Sequence, residues 1–461
     1  MSATLERAIG PSAATLLVIG GIIGSGIFLN TGRMAAALPS PGLILLAWTL
    51  GCLFAIAGAL TYAELGTMFP RAGGVYVFLG EAFGPLIAFL YGWTTLLVVL
   101  AGGIAAVAIG FAEYFSYFVP AFSASNTIAT IPLGFRTWTI GANQLVAVAS
   151  ILALGFVNYR GVRVGAGTNA VLTIAKVTGL ALLPVFAIVG TTRTPQWSPL
   201  VPPEIASPIT AFGVALIAVL WAVEGYYFLT YAGAEIRDPA RTIPRALTAG
   251  LVAILVIYVG ANLVYVYALP MEELRGATRV AERAATAMVG PAGASAIAFT
   301  VLVSTLGANA AVILAGSRVM YAMASQGLFF KAASAVHPRF RSPHVAILGL
   351  TVWSSCLALS GTFEQLFTYV VFASVLFSMC GGLALFVLRR TRPGADRPYR
   401  VAGYPLVPAL FIGGSLFLVI NTLRERPFES LAGLGLLALG LPAYWYWTSV
   451  GTTGTTGTRN E

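Results

Sequence analysis

The sequence predicts an all-α polytopic membrane protein, and composition and patterning both support this. Of its 461 residues, 58% are hydrophobic and only 9% are charged, whereas an ordinary soluble protein carries about 25% charged residues. The apolar residues also fall into twelve stretches, each near the roughly 20 residues that a membrane-spanning helix needs. A chain with so few charges has too little polar surface to fold as a soluble protein.

The predicted spans lie between a short N-terminal tail, residues 1–11, and a Gly- and Thr-rich tail, residues 450–461, which we expect to be flexible and cytoplasmic. A charged segment at 271–291 is predicted to form a surface helix between the seventh and eighth spans. The spans themselves are 12–38, 42–68, 83–119, 142–159, 168–190, 208–233, 243–269, 294–324, 344–360, 363–388, 403–423 and 430–449.

The distribution of basic residues predicts the orientation of these spans. If the N-terminus is cytoplasmic, seventeen of the 26 Lys and Arg residues lie on the cytoplasmic side and seven on the opposite side. The positive-inside rule therefore favours two cytoplasmic termini and an even number of spans. The net charge of +10 reflects this topology, so we expect no nucleic-acid partner.

Two predicted spans have interrupted centres. The first contains four glycines within the seven residues 20–26, and the sixth contains Glu224 and Gly225 at its middle. Irregular backbone at bilayer depth is tolerated where it lines a cavity, and it commonly marks a ligand site. The alternative is that the glycines only allow close helix packing. The matching position of the second interruption favours the ligand site.

The two interruptions divide the chain into related halves. Spans 1–5, residues 12–192, and spans 6–10, residues 208–391, each begin with a broken helix. Five spans is an odd number, so the second half would be inverted in the membrane, which is a known transporter plan. Residues 403–449 then add two further helices.

The broken first helix suits the recognition of a free amino acid. The half-helix that starts after Gly24, Ser25 and Gly26 has free N–H groups and a partial positive charge, both of which favour a carboxylate. Carbonyl groups freed on the other side of each break suit an ammonium group. The sequence contains these parts, and their convergence on one ligand is an expectation.

Two ionisable residues lie deep within spans. Lys176 is in span 5 and Glu224 is at the second break; an uncompensated charge at such depth costs about 2.5–3.5 kcal/mol on insertion scales. We expect Lys176 to face the bundle interior, where Thr305 and Asn309 could hydrogen-bond toward it; snorkelling to an interface is the alternative. Glu224 could attract an ammonium, pair with a base, carry a coupled proton or only hydrate the break.

Several ordered segments resemble the amino acid–polyamine–organocation superfamily, in particular bacterial members close to the L-type amino acid transporter branch. The segment 23–28 resembles its first-helix signature, and 62–76 resembles the turn from span 2 into span 3. The segments 235–239 and 243–246 resemble the loop after span 6. Residues 307–318, 326–328 and 336–338 are similar to the eighth span and its cytoplasmic exit.

This resemblance implies a leucine-transporter-like fold of five plus five inverted helices with two added helices. It implies that a substrate carboxylate meets the backbone of Ser25, Gly26 and Ile27, next to Gly24. It implies that the amino group meets carbonyls near Ile22, Ile23, Trp221, Ala222 and Glu224, beside Gly225, and that Trp221 acts as a gate. Lys176, Glu224 and Tyr265 would serve as the coupling site in place of a bound cation, with a packing or interfacial role as the alternative for Tyr265. Glu64 would order the inner loop with Arg71.

The resulting prediction is a bacterial inner-membrane transporter that exchanges neutral L-amino acids without sodium and works by alternating access. Proton-coupled symport is the first alternative, and transport of cationic amino acids or polyamines is the second. The spans contain no paired acid, nucleophile–base set or metal cluster, so we expect no enzyme activity, no metal and no cofactor. Animal members of the L-type branch, which this chain resembles, bond a heavy chain through a cysteine in the loop after span 3. That loop has no cysteine here, so we expect no disulfide-linked heavy chain and a monomer.

Overall fold

The computed structural model describes residues 5–132, 137–190, 193–360, 363–425 and 427–453. Most of the tail predicted to be flexible, residues 454–461, lies outside this range. Arg136, Arg426 and Arg459, which contribute to the charge count for orientation, lie outside it as well. Within the described residues, the fold consists of α-helices and one small antiparallel hairpin.

Within the described ranges, the first half of the chain contains nine α-helices and the hairpin. The hairpin strands are β1, Thr127–Pro132, and β2, Thr137–Gly141. The helices are α1 Pro11–Ile22, α2 Gly26–Ala37, α3 Pro41–Met68, α4 Val75–Phe83, α5 Pro85–Thr94, α6 Ala101–Phe118, α7 Ala142–Tyr159, α8 Val162–Leu180 and α9 Leu182–Gly190. A π-helical segment, Thr95–Leu100, joins α5 to α6 without a break.

The second half contains eleven α-helices within the described ranges. These helices are α10 Pro208–Val223, α11 Phe228–Tyr231, α12 Pro239–Ala268, α13 Met271–Arg275, α14 Val280–Val289, α15 Pro291–Ser325, α16 His344–Ser360, α17 Phe363–Thr391, α18 Leu406–Glu425, α19 Pro427–Ala438 and α20 Gly440–Thr453. Proline occupies the first turn of α1, α3, α10, α12 and α15, where its missing N–H would have no helical partner.

Nine helical segments of the described chain are long and apolar enough to cross a membrane. They coincide with nine of the twelve predicted spans. The sixth and ninth predicted spans correspond to the shorter apolar helices Pro208–Val223 and His344–Ser360, and the twelfth falls on α19 and α20. Large apolar side chains such as Val171 and Ile188 are exposed on the outer surface, as a lipid-facing surface requires. The chain is therefore a mostly helical, multi-pass membrane protein.

Several predicted boundaries are wrong. The fifth span begins at Val162 and not at 168, because Gly161 adopts φ +111° immediately before the helix. The predicted surface helix 271–291 is two helices, α13 and α14, and α20 continues to Thr453, past the predicted start of the flexible tail. The hairpin β1–β2 has no counterpart among the predictions, since its strands lie in a segment assigned to a loop.

Ion pairs concentrate at one end of the bundle, which we call the basic end; it contains the starts of α1 and α12 and the end of α17. Glu64 accepts hydrogen bonds from Arg389 at 2.6 and 2.9 Å and from the backbone N–H of Val401 at 2.8 Å. The predicted pairing of Glu64 with Arg71 is therefore wrong. Arg71 instead pairs with Glu81, which also contacts Arg392 at 2.7 Å. Burial alone would raise the pKa of the Glu81 carboxyl, but these two arginines lower it below its ordinary value.

Candidate functional site

The first helix break separates α1 from α2 at Ile23–Ser25. Ile23 has φ −72° and ψ 92°, which ends α1, and a new helix begins at Gly26 with Ser25 as its N-cap. Phe28 donates its backbone N–H to the Ser25 carbonyl at 3.1 Å. Helix α2 itself supplies no acceptor for the N–H groups of Gly26 and Ile27. These donors and the positive end of the helix dipole together favour an anionic ligand at the break.

A buried ammonium group holds the other side of the first break. Lys176 of α8 is fully buried, and its Nζ donates to the carbonyl of Ile23 at 2.6 Å, of Ser304 at 2.9 Å and of Gly20 at 3.0 Å. A lysine ammonium has three donors, so all of them are used. This single charge therefore connects the broken helix to α8 and α15 through backbone carbonyls.

The eighth span contributes to this network through Ser304, which the sequence did not single out. The Ser304 hydroxyl contacts the carbonyls of Ile23 at 3.0 Å and Gly24 at 3.2 Å. The predicted donors do not reach Lys176: Thr305 bonds to carbonyls of its own helix, and Asn309 donates to the carbonyl of Ile104 at 3.1 Å. That part of the prediction is wrong, although Lys176 does face the interior as expected.

The second break lies between α10 and α11 at Glu224–Tyr227. Gly225 adopts φ +102°, a conformation that side-chain-bearing residues rarely adopt, and α11 starts again at Phe228. The Tyr227 hydroxyl donates to Oε1 of Glu224. In contrast to the first break, this one therefore contains its own acidic side chain, which a neighbouring phenol orients.

The two breaks contact each other directly. A Cβ atom added to Gly26 would lie 2.7 Å from Cβ of Ala222, and one added to Gly225 would lie 3.4 Å from the carbonyl oxygen of Gly21. Only glycine fits at Gly26 without displacing the backbone of the other break. The first break therefore packs on the second.

Tyr258 of α12 links the two breaks through one hydroxyl group. Its Oη is 2.9 Å from the carbonyl of Ala222 and 3.2 Å from the carbonyl of Ile22. The next turn of α12 extends the link, because Asn262 accepts a hydrogen bond from Thr31 of α2 at 2.5 Å. Tyr265, the tyrosine predicted for this region, is buried two turns further along α12, and its hydroxyl has no hydrogen-bond partner among the described residues.

A cavity of about 50 Å³ lies where the two breaks meet. Seven of the ten predicted binding residues line it: Ile22, Gly24, Ser25, Gly26, Trp221, Ala222 and Glu224. Ile23, Ile27 and Gly225 do not; the Ile23 carbonyl is occupied by Lys176 and Ser304. The cavity is completed by residues that the sequence analysis missed, namely Gly21, Gly103, Val107, Phe228, Ala308, Asn309, Val312 and Val370.

These residues were missed for a physical reason. Gly103 and Val107 belong to α6, whereas Asn309 and Val312 belong to α15, and all four come from regular helices. The sequence analysis considered Asn309 only as a partner of Lys176. Of the eight, Gly21 and Phe228 could have been found, since Gly21 belongs to the first break and Phe228 directly follows the second. The other six reach the cavity only through the packing of α6, α15 and α17 around the breaks.

The fold and the cavity together define a class: a multi-pass membrane protein with a cavity between two interrupted helices. Residues 9–430 match the family model of the amino acid permeases, and the chain belongs to that family. It is therefore a transporter and not an enzyme.

Characterised relatives cover nearly the whole chain. The serine/threonine exchanger SteT of Bacillus subtilis is 31% identical over 446 residues, which are 96% of this chain and 97% of SteT. The b(0,+)-type amino acid transporter 1 of Mus musculus is 29% identical over 96% of this chain and 88% of its own. The human cystine/glutamate transporter is 27% identical over 96% of this chain and 85% of its own. These similarities support amino acid transport and exchange and confirm the resemblance to L-type transporters.

Proposed function

We propose that this protein exchanges neutral L-amino acids across the membrane by alternating access and without sodium. The observation that carries the proposal is the cavity at the paired breaks, which offers free helix N–H groups to a carboxylate and Glu224 to an ammonium. The substrate would thus be bound by its charged ends, which every free amino acid shares. Trp221, which lines the same cavity, is the proposed gate.

The position of Lys176 supports the proposed sodium independence. Its ammonium is bound by carbonyls of the broken helix and of α15, an oxygen-rich setting that would also suit a small cation. A covalently attached positive charge there makes a dissolved cation unnecessary. We propose that Lys176 replaces a coupling cation, in the role that the sequence analysis also gave to Tyr265 of α12.

Asn309 supports a preference for small substrates with a hydroxyl group. Its Nδ2 is held by the Ile104 carbonyl at 3.1 Å, so its Oδ1 is the end left to bond elsewhere. That oxygen is buried and accepts no hydrogen bond from any described residue, although Asn309 lines the cavity. A serine or threonine hydroxyl would satisfy it, and the relative SteT is a serine/threonine exchanger.

This preference predicts a change of specificity in Asn309→Val. In the original protein, serine and threonine would pair with Oδ1 of Asn309, whereas alanine and valine would leave this buried acceptor unpaired. The variant has no such acceptor, so its preference for serine and threonine over alanine and valine should fall about tenfold. Competition by unlabelled amino acids against labelled uptake measures the preference. An unchanged order of competition would show that Asn309 faces no substrate side chain.

Proton-coupled symport is the second candidate function, and one observation favours it. Glu224 lies in the cavity wall and accepts from Tyr227, so it is placed to carry a proton along with the substrate. The same carboxylate would suit a second ammonium, which is the argument for cationic amino acids or polyamines as the third candidate.

Uptake of a labelled neutral amino acid into proteoliposomes separates these functions. Exchange predicts uptake only into vesicles preloaded with unlabelled amino acid, unaffected when choline replaces sodium. Proton symport predicts uptake into empty vesicles when the proton gradient is inward. If polyamines inhibit uptake of the labelled amino acid, transport of cationic amino acids or polyamines is indicated. Absence of uptake under all conditions would contradict amino acid transport by this protein.

The finer architecture is also a proposal. We infer twelve spans, arranged as inverted repeats 12–192 and 208–391 followed by helices at 403–449. The contact between the two breaks and their equivalent places in the halves support this. The charge distribution supports cytoplasmic termini at the basic end, and the bacterial relative supports an inner-membrane location. The loop between α6 and α7 has no cysteine, which favours a monomer without a heavy chain.

Alternating access then requires the basic end to open. Glu235 and Arg318 form a bidentate pair there at 2.6 and 2.8 Å, and both side chains are buried. The N-terminal segment packs against this turn, since the Ile9 N–H donates to the Glu235 carbonyl and the Ile9 carbonyl accepts from the Arg237 N–H, both at 2.9 Å. We propose that these contacts separate when the cavity opens toward the cytoplasm.

A further inference from the structure

A second cavity, separate from the one at the paired breaks, lies on the outer face of α12. Its volume is about 1030 Å³, and it is bounded by one face of α12 and by Pro398 and Tyr399 of the loop that precedes α18. It begins at the basic end and runs along the helix toward the middle of the bundle. We call this feature, lined along α12 from Ala240 to Ile257, the α12 groove.

The two ends of the α12 groove differ in chemistry. The part of the groove at the basic end contains Arg241 and Arg245, which are one helical turn apart and both exposed. Among the described residues, Arg245 has no ion pair, and the one carboxylate near Arg241 is the exposed Asp238 at 3.9 Å. Guanidinium groups bind phosphate through two parallel hydrogen bonds. This end is therefore a basic site whose charge is largely uncompensated.

The remainder of the groove is apolar. It is lined by Ala249, Val252, Ala253, Val256 and Ile257, and the side chains of Val252 and Val256 are 47% and 67% exposed. Alanine at 249 and 253 makes the surface hollow between the two valines. The groove runs twelve residues from Arg245 to Ile257, about 18 Å of helix, close to the roughly 15 Å of hydrocarbon in one leaflet.

We propose that the α12 groove binds one anionic phospholipid of the cytoplasmic leaflet. The lipid phosphate would bind Arg241 and Arg245, and one acyl chain would lie along Val252 and Val256. Charge complementarity selects an anionic headgroup, because basic pockets at the cytoplasmic surface attract such lipids. The length of the apolar part selects a full acyl chain over a small soluble phosphate.

The groove backs directly onto the transport site. Ile257 lines the groove, and the next residue, Tyr258, bonds to both helix breaks. On the same helix, a Cβ atom added to Gly250 would lie 2.7 Å from Val18 of α1. A lipid in the groove would therefore restrain the helix that links the two breaks, and its occupancy should change the transport rate.

Native mass spectrometry of the detergent-purified full chain tests the binding. The probes are phosphatidylglycerol and phosphatidylcholine with the same palmitoyl and oleoyl chains. We expect one phosphatidylglycerol to be retained about tenfold more tightly than phosphatidylcholine, and the double variant R241Q/R245Q to remove that difference. Glycerol phosphate added in excess should not displace the lipid; displacement would show that the site is a soluble-phosphate site and overturn the proposal.

Two further variants test whether lipid retention depends on the α12 groove or on exposed positive charge in general. Arg339→Gln removes one exposed charge in the loop after α15, outside the groove, and should leave lipid retention unchanged. Val256→Trp fills the apolar part at an exposed position and should weaken both lipids. Equal retention of the two lipids by the original protein, or equal losses in Arg339→Gln and R241Q/R245Q, would overturn the proposal.

Transport provides an independent readout. Uptake in vesicles that contain phosphatidylglycerol should exceed uptake in pure phosphatidylcholine by two- to threefold, roughly the effect of a coupling of under 1 kcal/mol, and R241Q/R245Q should abolish the difference. The binding measurement does not depend on the proposed substrate, so a failed amino acid assay leaves the lipid result standing, and the converse also holds.

Discussion

The two helix breaks reach the same cavity with different chemistry. The first break has no ionisable residue of its own and is held from outside by Lys176, through carbonyls of Gly20 and Ile23. The second break contains Glu224, which is held locally by Tyr227 three residues later. The first break therefore presents backbone groups and is stabilised by the charge of Lys176 from another helix. The second break presents the side chain of Glu224.

In the proposed function, the two breaks would therefore recognise the substrate in different ways. A site made of backbone groups is indifferent to most side-chain substitutions but depends on glycine for its shape and on Lys176 for its stability. A site made of a carboxylate depends on the identity and protonation of one residue. Substitutions at the first break should therefore change transport through structure, and those at the second through substrate affinity.

The largest effect is expected for Lys176→Met. This variant keeps the length of the side chain but removes the ammonium donor that the carbonyls of Gly20, Ile23 and Ser304 share, and of these carbonyls only that of Ile23 then keeps a donor, the Ser304 hydroxyl. We therefore expect transport to be lost and stability to fall by about 3 kcal/mol. Thermal unfolding in detergent and exchange in vesicles measure the two effects. Lys331→Met, at the other lysine of the chain, should behave like the original protein; normal exchange by Lys176→Met would refute the role of Lys176.

The next largest effect is expected for Gly26→Ala. The added methyl would lie 2.7 Å from Cβ and 2.8 Å from Cα of Ala222, so the two breaks must move apart and substrate binding should be lost. Gly24→Ala is the matched control, because its added methyl meets Ala308 at an ordinary 3.5 Å. Equal affinities of the two variants in a binding assay would show that contact between the breaks does not define the site.

A smaller effect is expected for Glu224→Gln at the second break. Glutamine still accepts from Tyr227 but has no charge, so the KM for zwitterionic substrates should rise about tenfold with the loss of a charge-assisted hydrogen bond. Glu113→Gln, an exposed acid near the end of α6, controls for a general change in charge. An unaltered KM would assign Glu224 to hydration of the break alone.

The smallest effect is expected for Tyr258→Phe. Removal of one hydroxyl that bonds to Ala222 and Ile22 should lower the free energy of unfolding by about 1 kcal/mol and reduce exchange modestly. Tyr265→Phe, seven residues further along the same helix, removes a hydroxyl without a partner in the described part of the chain and should cost less. If Tyr265→Phe proved the more damaging variant, the link between the breaks would not run through Tyr258.

The breaks could be predicted because glycines or a charged residue at the centre of an apolar span can be recognised from a short stretch of sequence. Lys176 could be identified for the same reason, since it is a single charge within an apolar span. The wrong partners were predicted for Lys176 because Ser304, Thr305 and Asn309 all lie within two turns of α15 and differ only in the direction they face. Tyr258 and Tyr265 illustrate the same limit. Seven residues separate them, so they share one face of α12, and only their depth distinguishes them.

The pairing of Glu64 failed for a related reason. Arg71 is close in sequence and belongs to the same motif, whereas Arg389 is 325 residues away and approaches Glu64 only because α17 packs beside α3. No periodicity or spacing reports such a contact. The sequence likewise did not predict that α6 and α15 form part of the cavity wall, because both segments are regular helices with no interruption that would mark a site.

The π-helical segment Thr95–Leu100 determines which face α6 turns toward the cavity. A π-turn accommodates one more residue than an α-turn, so the segment takes up a surplus residue before α6 begins. If the same residues formed a regular α-helix, Gly103 and Val107 would turn about 100° relative to α5 and away from the cavity. Deleting one residue from the segment should therefore leave both residues facing the cavity, whereas deleting one residue from α5 or from the start of α6 should turn one part of the helix against the other.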